Sequence, residues 1–346
     1  MPLIGRVGRR NVRVRLLIAG IYALLIGGGL TMVYPFLLML SGSTKTAVDA
    51  RENRIVPAFL TSEVMLYRKH VEALFNEQLD VMRASYDIDT ITFEALTLPD
   101  SPVPEPALSF WRRFVESGNL PPKAWTIGYV HAPVSRNAPR ELRAFKAWLQ
   151  ESYGPDIASV NRMLETDFVG WNALYVIPED WVSRRQPLQQ SPLQRAFEAF
   201  KQTRPAIVRT VFSVEGAYRR QFLSAIYGRD IDAYNRAHGT THADYREVRF
   251  AADYPADASP LVREDWERFV RDGLNLYWIR FDPAAAPAYR QMLQVKYGTL
   301  ATLNEKYGTR WREWDEVPLP LQAPAEGLAL TDWEAFLVGW QDADTG

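Results

Sequence analysis

The chain contains no cysteine, which excludes disulfide staples and any thiolate-based metal site. It has no acidic residue before Asp49 and no charge of either sign from Leu16 to Leu40. A phosphate cradle is missing too, because the one dense glycine run, Gly27 to Gly29, lies inside that uncharged stretch, where it cannot meet a nucleotide. Nor is there the basic stripe that nucleic acid requires. Five of the 40 basic residues precede the uncharged run, and the remainder are outnumbered by 41 acidic ones.

What is present begins with that run of 25 residues. At 1.5 Å per residue it exceeds the roughly 30 Å hydrocarbon core of a bilayer, so it is long enough to span with some tilt. Arg6, Arg9, Arg10, Arg13 and Arg15 stand immediately before it. The positive-inside rule therefore keeps the N-terminus in the cytoplasm and sends the residues after about 41 across a bacterial inner membrane, with lipid as the first partner. A cleaved signal peptide is the competing reading. Its apolar region normally runs about 7 to 15 residues, shorter than this one, although Val48-Asp49-Ala50 offers a small-residue site. Pro35 and the glycine triplet suit a span packed against other helices.

A repeat organises the remainder. Tyr153-Gly154 is followed by Asn161 and Thr166, Tyr227-Gly228 by Asn235 and Gly239-Thr240, and Tyr297-Gly298 by Asn304 and Gly308-Thr309. Apolar spacing of three and four before each phrase predicts helices through Leu142–Leu149, Tyr218–Ile226 and Tyr289–Lys296, each ended by its glycine. A second element recurs upstream at Trp111 with Phe114, Phe197 with Phe200, Trp266 with Phe269 and Trp333 with Phe336, each pair sharing one helical face. Branched and aromatic residues predict strands at Trp125–Val130, Ile207–Val214 and Leu276–Phe281. Phe93 to Pro99 reads as an eroded earlier copy.

The fold class expected is one transmembrane α-helix plus a mainly α (α+β) extracytoplasmic repeat domain. Its divisions are a basic cytoplasmic segment 1–15, the span 16–40 with limits Leu16 and Leu40, and a connecting helical region 41–107 with a degenerate repeat. Repeats follow at 108–190, 191–259 and 260–325, then a truncated copy at 326–346. Because a half repeat leaves its apolar face uncovered, the chain reads as the front of a longer protein.

Candidate chemistry is sparse. A glycosidase needs two carboxylates about 5 to 9.5 Å apart, and Glu215, Glu264, Asp265, Glu313 and Glu316 are the obvious names. Asp265 and Asp332, each one residue before a repeat tryptophan, read better as charges placed for a helix dipole. His238 and His242 are four apart, but Gly239 intervenes and the zinc-protease pattern is not met, so a solvated loop is expected. His70 reads as the polar side of a helix over Val64–Met82, and His131 has no visible triad partner. Repetition assigns Trp111, Trp266 and Trp333 to a shared core. Trp311 and Trp314, unique to the third unit, are the candidates for contact with carbohydrate or a partner.

Two stretches carry resemblances. Tyr34-Pro35-Phe36-Leu37-Leu38-Met39-Leu40-Ser41-Gly42-Ser43-Thr44-Lys45-Thr46 resembles the end of the first transmembrane helix in maltose-type carbohydrate ABC transporter permeases. That resemblance implies a second permease subunit, a cytoplasmic ATPase and a solute-binding protein as partners. The segment after the first span is normally short in that family, and the ATPase-docking loop with its Glu-Ala-Ala signature is missing here. Tyr297 through Trp311, then Trp314-Asp315-Glu316-Val317, is similar to a helical segment of bacterial TIM-barrel β-galactosidases. In those enzymes the resemblance implies scaffold, apart from the catalytic glutamates, so no catalytic residue is carried over. The expectation is a membrane subunit of a carbohydrate importer with a periplasmic scaffold or docking insertion, without enzymatic activity, cofactor or metal. A membrane-anchored glycan- or partner-binding protein without transport is the alternative, and an anchored glycosidase comes third.

Overall fold

A computed structural model describes residues 11–131, 139–177, 179–183 and 187–340. The fold is mainly helical, and the chain divides into two compact units. Among the described residues the first holds 11–72 and 93–100. It contains α1 (Val12–Gly42), a 31-residue helix opened by Asn11, whose Oδ1 accepts the Arg13 amide at 3.1 Å. No residue of its most apolar window is buried, as suits a segment solvated by lipid. Of the arginines expected to set topology, Arg13 and Arg15 lie on its first turn, whereas Arg6, Arg9 and Arg10 fall outside the described residues. Beyond α1 the chain turns through Val48 and Asp49, both buried, and Lys69 of α2 (Glu63–Leu74) pairs with Asp49 at 3.1 Å.

The second unit holds the rest and begins at the end of α2. The continuous helix expected over Val64–Met82 is broken, and α3 (Leu79–Tyr86) starts afresh. Asn76 and Glu77 adopt left-handed backbone at φ 51° and 63°. The buried Asn76 side chain donates to the Ile127 carbonyl and accepts from the Val130 and His131 amides. Asparagine tolerates that conformation, and three long-range hydrogen bonds hold it there.

Next come α4 (Glu105–Glu116), α5 (Arg140–Tyr153), α6 (Ile157–Leu164) and α7 (Pro192–Gln202). The only sheet among the described residues is a two-stranded antiparallel ribbon, β1 (Trp125–Ile127) against β2 (Arg209–Val211), with Thr126 opposite Thr210. It corresponds to two of the three expected strands. In the third, expected over Leu276–Phe281, Leu276–Trp278 is instead a 3-10 turn, because Asn275 Oδ1 accepts the Tyr277 amide while its Nδ2 donates to the Ser183 carbonyl, and Arg280 makes only an isolated bridge with Gln322. Ser213 opens α8 (Val214–Ala217), and Gly216 approaches Ala84 so closely that a Cβ there would lie 1.9 Å from its carbonyl oxygen.

A π-helical turn, Tyr218–Leu223, joins α8 to α9 (Ser224–Tyr227). It faces Arg219 and Arg220 to one carboxylate, Asp87, at 3.0 and 2.7 Å. The remaining helices are α10 (Asp232–His238), α11 (Pro260–Arg268), α12 (Ala286–Tyr297), α13 (Leu300–Tyr307) and α14 (Gly327–Val338). The helices expected before each Tyr-Gly phrase are therefore present.

The aromatic pairs have unequal fates. Phe197 and Phe200 pack on Phe145 at 5.2 and 5.1 Å, and Trp333 is fully buried on Phe281. Trp266 is half-buried, stacked on Phe250 at 6.1 Å. Trp111 and Phe114, expected in the core, are 44% and 50% exposed, since α4 buries only Val115.

Candidate functional site

Each Tyr-Gly phrase ends in one recurring hydrogen-bond set. Asn161 Oδ1 accepts from the Thr166 hydroxyl at 2.9 Å and the Phe168 amide at 3.1 Å, while its Nδ2 donates to the Phe168 carbonyl. Asn235 does the same with Thr240 and His242, and Asn304 with Thr309 and Trp311. An amide side chain supplies an oxygen that accepts twice and a nitrogen that donates, which is what closing this loop requires. The residue between them is left-handed in every case: Glu165 at φ 55°, Gly239 and Gly308 at 65°.

Two buried carboxylates join these phrases to the helices that follow. Asp265 Oδ2 accepts from the Tyr227 hydroxyl at 2.8 Å and lies 3.1 Å from His238 Nε2. Asp332 Oδ2 accepts from Tyr297 at 2.7 Å and from Tyr307 at 2.5 Å, and Lys296 donates to its other oxygen. Both aspartates lie inside their helices, on the core face, so neither is the dipole-compensating charge expected at a helix start. In α11 that work falls to Ser259, which caps through the Val262 amide.

His238 is likewise corrected. Its side chain is fully buried, at the end of α10 rather than in a solvated loop, stacked on Tyr234 at 4.0 Å. Burial holds its pKa below the ordinary 6.5, against the pull of Asp265. The buried Nδ1 has no partner, so a proton added there meets no acceptor. Burial also raises Asp265, and burial together with the adjacent aspartate pushes up the hydroxyls of Tyr227, Tyr297 and Tyr307, keeping them donors. His242 remains in a loop, 3.3 Å from Glu247.

Other candidates are dispersed. Trp311 and Trp314 are half-buried against the core around Tyr289, Leu293 and Leu303. Trp311 is fixed through its backbone by Asn304 and by its ring on Tyr307 at 6.0 Å. Glu215 pairs with Arg219 at 2.8 Å, and Glu316 accepts the Arg312 amide at 2.7 Å. Sequence reasoning missed the Tyr-to-Asp bonds. Their signal was an aspartate before Trp266 and before Trp333, paired with His238 and Tyr307 three residues after Asn235 and Asn304.

Against known families, the model described as beta-galactosidase, glycoside hydrolase 42, matches residues 278–339. That stretch runs from the Leu276–Trp278 turn through α12, α13 and α14, and contains Trp311, Trp314 and Asp332. No curated protein and no solved structure matches the chain. The match supports the β-galactosidase-like segment, whereas nothing among the comparisons supports the permease resemblance. It also overturns the expectation of a chain without enzymatic activity: the match at residues 278–339 suggests a glycosidase-related protein. The described residues nevertheless display no clear active site.

Proposed function

We propose that the chain is a membrane-anchored, glycosidase-related protein of carbohydrate handling, with α1 retained in the inner membrane and the residues after about 41 on the extracytoplasmic side. The observation that carries this reading is the beta-galactosidase match at 278–339 in a chain that also bears an apolar helix long enough to span. Trp311 and Trp314, inside the matched stretch, contribute aromatic surface on a rigid turn, a combination that suits contact with a sugar ring. The test is detergent-solubilised full chain titrated with β-1,4-galactobiose and assayed on aryl β-galactosides. Saturable binding or turnover supports the reading. A chain that unfolds cooperatively yet neither binds nor hydrolyses overturns it.

A second reading, an importer subunit with an ATPase and a second permease subunit, is favoured by α1 itself. Gly20 and Gly27 lie seven residues apart on one face of α1, and Cβ positions there meet nothing within 4 Å, so other transmembrane helices could approach closely. Mild solubilisation from the native membrane and mass spectrometry of the co-purified chains decide it. Recovery of an ATPase supports this reading, and recovery of the chain alone removes it.

A further inference from the structure

Outside the matched stretch, the second unit carries an open groove of about 720 Å³ between α4, the end of α3 and the segment around β2. That volume lies within the roughly 300 to 1,000 Å³ typical of ligand sites. Its walls expose aromatic and branched side chains: Trp111 is 44% exposed, Tyr86 42% and Ile207 73%. The Tyr86 ring is held by an edge contact with Phe75 at 5.0 Å. Single exposed apolar residues are ordinary, but several lining one groove mark a binding surface.

Two polar features narrow the ligand. Thr210, also lining the groove, is 5% exposed, and its buried hydroxyl oxygen has no hydrogen-bond partner among the described residues. A buried hydroxyl left unpaired costs free energy that a ligand hydrogen bond recovers. The lining is also cationic and holds no carboxylate. Arg209 spends its donors on the Arg204, Gln202 and Val115 carbonyls, which secures the end of α4. Among the described residues Arg112 is tied only to Glu105, at 3.7 Å on the exposed side of the helix. The complementary ligand therefore presents acceptor oxygens at its edge and an apolar face to the rings. A pyranose does both, offering C–H faces to aromatic side chains and hydroxyls to Thr210 and Arg112.

We infer that this groove is an oligosaccharide-binding site, with Trp111 and Tyr86 as stacking platforms and Thr210 and Arg112 as hydrogen-bonding groups. The inference rests on the carbohydrate reading above and adds a site distinct from Trp311 and Trp314. Calorimetric titration of detergent-solubilised full chain with β-1,4-galactobiose tests it. Trp111→Ala weakens affinity by about tenfold, the loss of one aromatic platform, and Arg112→Ala weakens it by several fold. Trp111 and Arg112 lie on the surface, so an unchanged urea midpoint verifies that both variants fold, and Ile207→Asp provides a third probe of the same wall. Wild-type binding that none of the three variants alters overturns the groove and leaves the carbohydrate reading standing. Binding lost instead in Trp314→Ala transfers the site to the third repeat and likewise overturns the groove. Wild-type chain that binds no sugar removes both.

Discussion

The Tyr227 hydroxyl reaches across 38 residues of chain to donate to Asp265 Oδ2 at 2.8 Å. Tyr297 and Asp332 form the same bond one unit later, across 35 residues. At the corresponding places of the first repeat stand Leu164 and Ala196, both buried in one apolar core. The carboxylate and the donor three residues after the asparagine are thus replaced together by hydrocarbon, while the tyrosine of the phrase remains as Tyr153.

That replacement sets a double-mutant test. Asp265→Ala alone removes the acceptor shared by half-buried Tyr227 and buried His238, which lie 3.2 Å from each other, and should cost about 1 to 3 kcal/mol, as for one unsatisfied group. Asp265→Ala with His238→Leu should lose less than the two singles summed, with a coupling of about 0.5 to 3 kcal/mol. Urea unfolding of the full chain in detergent measures all three variants. Strict additivity would show that the residues do not act as a unit.

His238 gives stability a pH dependence. Its folded pKa lies below the ordinary 6.5 because of burial, so the unfolded chain binds more protons across that interval. Stability is accordingly full above about pH 6.5 and declines as pH falls through the folded value. His70 and His131, also lowered by burial, act with the same sign. Asp265, raised from 3.8 by burial, acts oppositely, losing stability as pH rises from 3.8 to its folded value. His238→Gln should flatten the slope below pH 6.5 relative to wild type, and an unaltered slope would place the titration elsewhere.

The repeated aromatic pairs should differ in energetic weight. Trp333, fully buried, with its Nε1 donating to the Pro320 carbonyl at 2.9 Å, should cost about 3 to 5 kcal/mol on truncation to Ala. Half-buried Trp266, bonded to the Ala251 carbonyl, should cost less. Trp111→Ala should stay within about 0.5 kcal/mol, as surface changes do. The order of the three urea midpoints checks this, and a large loss at Trp111 would mean that α4 is covered.

Substituting Arg6, Arg9, Arg10, Arg13 and Arg15 with Glu should scramble membrane orientation, read by protease accessibility of residues beyond 46 in spheroplasts. An intact mass for the membrane-extracted chain checks retention of α1. Cleavage after Ala50 would remove Val48 and Asp49, both buried in the first unit, and a mass matching that product would refute the anchor.

What the sequence by itself determined was local. The apolar length of α1 follows from an uncharged run, the helices ahead of Gly154, Gly228 and Gly298 follow from apolar spacing, and each asparagine bonds to a residue only seven positions away. Tertiary structure decided the rest, because the deciding partners are distant in the chain. Asn76 breaks the expected helix through Ile127, 51 residues on, and Asn275 turns an expected strand into a 3-10 turn through Ser183, 92 residues back. His238 is buried because α11 brings Asp265 over it, and Trp111 stays in solvent although its repeat equivalents are covered. Periodicity reports which face of a helix is apolar; only the fold decides whether another element arrives to cover it.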